Sequence, residues 1–136
     1  MTLDEIYETF MWRDAETWDE YEARIAPALH AAKEYRYLYP FILPIIPKMN
    51  KGIWEACAYV IAERSDVQIE PYLYLLFEWL KDMNWPGAWI IFDRLAELPL
   101  STLEDAYNFS RREAARTDDA LWLMALDDFG KQINRE

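Results

Sequence analysis

Carboxylates are the side chains abundant enough in this sequence to suggest chemistry. The chain has 25 Asp and Glu among 136 residues, with adjacent aspartates at 118–119 and 127–128. Such pairs can act as general acids and bases or bind a divalent cation. Both lack the alternating oxygen ligands and central glycine of a calcium loop, and Asp118 or Asp119 suits a helix N-cap. We therefore expect no catalytic residue, no cofactor and no metal ligand.

Other catalytic residue types are scarce. The single histidine, His30, lies in the run APALHAAK, and the single cysteine, Cys57, lies in WEACAYVIAER. A zinc site takes several His or Cys ligands, and no glycine-rich phosphate loop or G-x-S-x-G sequence occurs. We predict that Cys57 is a small buried hydrophobic residue. We also predict that the protein is not an enzyme, with carboxylate-based catalysis as the least favoured alternative.

The charge balance indicates which partners the protein can bind. A net charge of −11 opposes binding to nucleic acid or to an anionic membrane and favours a cationic protein partner. One cysteine cannot form an internal disulfide, and neither a signal peptide nor an apolar run of about 18 residues is evident. These features predict a cytoplasmic protein without a membrane span and leave its oligomeric state open.

The spacing of apolar residues predicts helices along the whole chain. Only three glycines occur, fewer than sheets with tight hairpins need. Thr2 and Asp14 are the expected N-caps of the first two helices, and Pro27 is expected to kink or divide the second. The fold class is therefore predicted to be all-α.

A repeat is visible from Tyr39 onward. Segments 39–64, 70–98 and 101–133 each predict a helix, a polar corner and a second helix, and the second helices align at a spacing of 34 residues. Such a period is typical of helical solenoids, in which stacked hairpins share one core. We predict a single domain, 1–136, built as a short stack of antiparallel helical hairpins with six to eight helices. Residues 1–38 would form an acidic N-terminal helical cap, and residues 39–133 would form three hairpins.

The corner of the middle hairpin reads WLKDMNWPG. Asn84 is the expected cap of a helix that begins at Trp85, with Pro86 in its first turn; Asn50 and Asp118 stand at the equivalent corners. Residues 79–86 resemble the Trp-Leu-x-Asp-Met-Asn-Trp-Pro signature of an uncharacterised family of bacterial helical domains. The resemblance implies a HEAT-like fold without an established activity, and some members resemble immunity proteins encoded near toxin genes.

Two surfaces are candidates for binding a partner. The second helices are predicted to bury apolar stripes and to turn their polar residues, Arg94 among them, outward. The stripes are Trp54, Cys57, Ala58 and Ile61; Ala88, Ile91, Phe92 and Leu95; and Leu121, Trp122, Ala125 and Phe129. The outward residues that would form one acidic patch, the second-helix surface, are Tyr59, Glu63, Asp93, Glu97, Asp127 and Asp128.

The other candidate is the N-terminal run, in which aromatic side chains alternate with carboxylates. Rings provide buried area at an interface, and carboxylates attract a basic partner. Its predicted partner-binding residues are Glu16, Trp18, Asp19 and Glu20, with Asp14, Tyr21 and Glu22 in the same run.

We expect a non-catalytic protein-binding domain, and specifically a bacterial immunity protein that neutralises a basic toxin such as a nuclease. The alternative is an adaptor or scaffold domain that binds a peptide or a regulatory partner. The sequence leaves open which surface binds, and whether the corner tryptophans belong to the core or to an interface.

Overall fold

The computed structural model describes residues 1–42 and 51–134, and every regular element in those ranges is helical. The predicted all-α class with six to eight helices is confirmed. Single 3₁₀ turns lie at Tyr39–Phe41, Lys51–Ile53, Glu70–Tyr72 and Trp79–Lys81. The α-helices are α1 (Leu3–Phe10), α2 (Trp18–Ala32), α3 (Trp54–Ala62), α4 (Asp66–Ile69), α5 (Leu73–Glu78), α6 (Ala88–Ala96), α7 (Leu100–Arg116) and α8 (Ala120–Ile133).

The helices pack in two layers. In one layer α2 contacts α3, α3 contacts α6, and α6 contacts α8, while α1 packs on α2. In the other layer α5 packs on α7, which also contacts α8. Asn50 and most of the predicted first helix of hairpin 39–64 lie outside the described residues, and the predicted domain bounds stay a prediction. None of the described helices is long and apolar enough to cross a membrane.

The buried stripes follow the helical period closely. All of the residues predicted to be buried on α3 and α6 are buried, and burial raises the pKa of the Cys57 thiol. On α8 the prediction is wrong for Leu121, which is 63% exposed. The buried face of α8 lies one position further round the helix, where Trp122, Leu126 and Phe129 fill the core.

The start and the continuity of α2 differ from the sequence-based predictions, whereas the start of α1 agrees with them. Thr2 caps α1 as predicted, in a capping box with Glu5. Asp14 does not cap α2; the Thr17 hydroxyl accepts a hydrogen bond from the backbone N–H of Glu20 instead. Pro27 lies inside α2, which continues as one helix to Ala32, so its predicted division is wrong.

The corner before α6 is organised by Trp79. This indole is fully buried, and its Nε1 donates a hydrogen bond to the Pro86 carbonyl at 3.1 Å. The Asp82 carboxylate accepts a hydrogen bond from the Asn84 backbone N–H at 2.8 Å and fixes the turn. Asn84 therefore does not cap a helix at Trp85, as the sequence suggests.

Helix α6 begins three residues later than predicted, after Gly87. This glycine has φ +85° in the left-handed region and lies directly against α3. The corner tryptophans divide between core and surface: Trp79 is core, Trp85 is half-buried, and Trp89 is 57% exposed.

Buried arginines join neighbouring helices of the α2–α3–α6–α8 layer. Arg94, predicted to face solvent, is only 9% exposed. Its Nε donates to the Ala62 carbonyl at 3.0 Å and its Nη2 to the Arg64 carbonyl at 2.8 Å. Arg64 in turn donates to the Ala32 carbonyl at 2.7 Å. Each guanidinium thus satisfies carbonyls at the C-terminal end of the preceding helix, where positive charge is favourable.

Candidate protein-binding surface

A cleft of about 230 Å³ lies between α2 and α3. The lining residues on its α2 side recur at helical spacing, so one face of α2 lines the cleft. On its α3 side, two residues one helical turn apart line the cleft. The lining residues of this α2–α3 cleft are Trp18, Glu22, Ile25 and Leu29 from α2, and Tyr59 and Glu63 from α3. The structure therefore joins Trp18 of the N-terminal candidate to Tyr59 and Glu63 of the second-helix surface, which the sequence treated as separate sites.

The α2–α3 cleft combines an apolar floor with an acidic rim. Ile25 is buried and Leu29 is half-buried, whereas Glu22 and Glu63 are exposed. Within the described residues, Glu63 has one ion pair, with Lys33 Nζ at 3.8 Å, and both side chains are well exposed. Ion pairs of this kind contribute little. The rim therefore presents carboxylates that an incoming cation can neutralise.

The rest of the second-helix surface is less continuous than predicted. Asp93 and Asp128 are exposed, and neither forms an ion pair within the described residues. Glu97 lies 3.5 Å from the Arg94 guanidinium, and Asp127 is paired with Arg111 of α7. Arg94 of α6 and Arg111 of α7 therefore partly neutralise the acidic surface along α6 and α8.

Comparison with protein families places most of these helices in one group. Residues 45–133 match the family described as Domain of unknown function (DUF5071). The chain belongs to this family. No curated protein and no solved structure matches the chain. The DUF5071 match contains α3 to α8 and excludes α1 and α2, so the two sides of the α2–α3 cleft come from different parts of the chain.

The loop that leads from α1 into α2, outside the DUF5071 match, is fixed by Glu16 and Arg24. The Glu16 side chain is only 8% exposed, and Arg24 Nε donates to it at 2.7 Å. Arg24 also donates to the carbonyls of Thr9 and Met11 at the end of α1. The hydrogen bond from Arg24 to the Glu16 carboxylate lowers the pKa of Glu16. Glu16 therefore holds the loop in place, and its carboxylate is turned to Arg24 and not to a partner, contrary to the prediction.

Among the other residues of the N-terminal run, Tyr21 is buried, and the exposed ones are Asp14, Trp18, Asp19, Glu20 and Glu22. The Glu20 carboxylate accepts a hydrogen bond from the Thr17 hydroxyl at 3.0 Å, and Asp19 has no ion pair within the described residues. Trp18 lies beside a stacked pair formed by Trp12 and Tyr21, whose ring centroids are 3.9 Å apart. This aromatic cluster holds the Trp18 ring at the end of the α2–α3 cleft.

Glu55 adds negative charge close to the cleft. It lies one turn before Tyr59 on α3, where burial raises its pKa, and it has no ion pair within the described residues. The pKa of Tyr59 is also raised, first by burial and then by Glu55 and Glu22. Close to the cleft, the DUF5071 part of the chain thus keeps a half-buried carboxylate that no cation among the described residues pairs with, and carboxylates of raised pKa cluster at functional sites.

The variant Glu55→Gln tests whether Glu55 is buried without an ion-pair partner, through the pH dependence of thermal stability. Folding raises the pKa of Glu55, so the folded protein favours the neutral carboxyl. The free energy of unfolding therefore falls as pH rises through the folded-state pKa and the carboxyl ionises. The wild-type protein should therefore lose thermal stability relative to Glu55→Gln as pH rises from about 4.5, the ordinary pKa of glutamate, towards neutrality. A difference in melting temperature that stays constant over this range would contradict the uncompensated burial of Glu55.

Sequence reasoning missed Glu55, Ile25 and Leu29 as members or neighbours of a site. The spacing of 18, 22, 25 and 29 shows that these residues share a face of α2, but it does not show which helix lies opposite. Among residues 1–42 and 51–134, no group of three or more His, Cys, Asp or Glu side chains is arranged to hold a metal ion. The predictions of no cofactor and no metal stay predictions.

Proposed function

We propose that this chain is a non-catalytic protein-binding domain with a cationic protein partner. The observation that supports it best is the α2–α3 cleft, in which an apolar and aromatic floor meets carboxylates that lack strong internal partners. Exposed Asp93 and Asp128 extend the negative surface beyond the cleft. In a chain of net charge −11, these features favour fast association with a basic surface and oppose binding to phosphates.

The specific form of the proposal is a cytoplasmic bacterial immunity protein that neutralises a basic toxin, such as a nuclease. A nuclease needs a positively charged surface to bind its substrate, and an acidic protein can cover that surface. The resemblance of residues 79–86 to helical domains encoded near toxin genes supports this form. An adaptor that binds a basic peptide is the second candidate. The cleft favours it because its volume is below that of most small-molecule pockets and suits a single peptide side chain.

The proposal predicts that a neighbouring gene encodes a basic toxin domain, and calorimetric titration with that domain tests it. The double variant Asp93→Lys/Asp128→Lys should bind at least about tenfold more weakly, because two attractive charges become repulsive. The matched control is Glu104→Lys/Asp105→Lys, which makes the same change in net charge at exposed positions of α7. The control should retain most of the affinity.

Two results would count against the proposal. Absence of binding by the wild-type protein would remove the immunity function. Equal weakening by both double variants would show that net charge, and not the surface on α6 and α8, determines the affinity.

A further inference from the structure

We infer that the α2–α3 cleft receives one arginine side chain of the partner. The aliphatic stem would lie on Ile25 and Leu29, and the guanidinium would lie at the rim of the cleft, which Glu22, Glu63 and Trp18 line. This inference rests on the proposed function, because it names the group that the binding surface recognises.

The size of the cleft limits its occupant. Its volume of about 230 Å³ is below the roughly 300–1,000 Å³ of pockets that bind small-molecule ligands. The cleft is also open to solvent along the groove between two adjacent helices, so that a side chain projecting from another protein can enter without any rearrangement of the backbone. One long side chain therefore matches the available space better than a cofactor or a helix does.

The chemistry of the lining selects an amphipathic cation. Arginine and lysine bury their methylene groups on apolar surface and keep the charged end in water, which corresponds to an apolar floor below an acidic rim. Trp18 is 39% exposed and offers a ring face on which a cation can lie. Arginine fits better than lysine, because its planar guanidinium stacks on aromatic rings and can donate two parallel hydrogen bonds to a carboxylate.

The charges of the cleft are available for such a partner. Glu22 has no ion pair within the described residues, and Glu63 has only the exposed contact with Lys33. Glu55, beyond Tyr59, contributes a further negative charge that no described cation offsets. An incoming guanidinium would therefore gain attraction without displacing a strong internal ion pair.

The inference is tested by NMR titration of the full chain with the blocked peptide acetyl-Gly-Ala-Arg-Ala-Gly-amide. The matched probe carries citrulline, a neutral isostere, in place of arginine. We expect saturable shifts of the Trp18 indole N–H and of the Leu29 and Tyr59 amides with the arginine peptide, and about tenfold weaker binding of the citrulline peptide. A lysine peptide should bind with intermediate affinity.

Conservative variants identify the carboxylates involved. Glu22→Gln and Glu63→Gln should each weaken arginine-peptide binding about fivefold, near the upper limit for an exposed ion pair. Glu104→Gln on α7 is the control and should leave binding unchanged. Both Glu22 and Glu63 are exposed, so these variants should remain folded.

Three results would overturn the inference: equal affinity for the arginine and citrulline peptides, shifts confined to residues away from the cleft, or full affinity in both glutamine variants. If the toxin domain binds but the peptide leaves the cleft unshifted, the inference fails and the proposed function stands. If the peptide binds as expected but the toxin domain does not, the arginine site stands and the immunity function fails.

Discussion

Arg94→Ala is expected to destabilise the fold by about 2–4 kcal/mol, because it leaves buried carbonyls without donors and removes buried side-chain volume. The Arg94 side chain donates to carbonyls of Ala62 and Arg64 and to the Asp66 carboxylate at 2.7 Å. Its removal leaves the C-terminal carbonyls of α3 without these donors and opens space between α3 and α6. Arg94→Lys keeps the charge but cannot reproduce the forked geometry of the guanidinium. Its free energy of unfolding should therefore lie between those of Arg94→Ala and the wild type.

Urea unfolding followed by tryptophan fluorescence measures this effect. The control is Arg112→Ala, an exposed arginine of α7 that forms no ion pair with any described residue, with an expected change within about 0.5 kcal/mol. If Arg94→Ala and Arg112→Ala have the same free energy of unfolding, the buried arginine does not hold α3 and α6 together.

Gly87→Ala should destabilise the protein by about 2–4 kcal/mol, from left-handed backbone strain together with overpacking. Gly87 has φ +85°, and an added Cβ would lie 2.7 Å from the Ala58 Cβ and 3.1 Å from the Trp54 carbonyl oxygen. The indole of Trp79 lies 3.2 Å from the same point. The corner has little room to move, because Trp79 is itself bonded to the Pro86 carbonyl.

A double-mutant cycle separates the two causes. Ala58→Gly alone should cost about 1 kcal/mol, since glycine is unfavourable inside a helix. In the background of Ala58→Gly, the change Gly87→Ala should cost less than in wild type, because the closest contact is gone while the backbone strain persists. Additive effects of the two changes would contradict the close approach of α6 to α3.

Periodicity alone predicted much of the fold. The apolar stripes of α3 and α6 follow directly from helical spacing, because each helix of a layer buries one face. The same reasoning fails for Arg94, because nothing local shows that a guanidinium will find carbonyls of a helix about thirty residues earlier. It fails at Asn84 because the start of α6 is set by the hydrogen bond from Trp79 to Pro86 and by the backbone of Gly87.

The binding surface was less predictable than the fold. Its members Trp18, Tyr59 and Glu63 were identified by residue type, but their joint cleft depends on α2 lying beside α3, which is a tertiary contact. Asp127 looked free in the sequence because its partner, Arg111, comes from the other helix of the same hairpin. Charge on a helix face is visible in a sequence, whereas its neutralisation by a neighbouring helix is not.

The most direct test of the proposed function is the association rate constant with the basic toxin domain that the proposal expects a neighbouring gene to encode, measured by stopped flow at increasing salt. The negative surface of the α2–α3 cleft and of α6 and α8 should accelerate encounter, so the rate constant should fall steeply as salt screens it over about 10 Å at 0.1 M. The dissociation rate should change much less. An association rate constant that is independent of salt, or the absence of any complex, would contradict electrostatic recognition of a cationic partner.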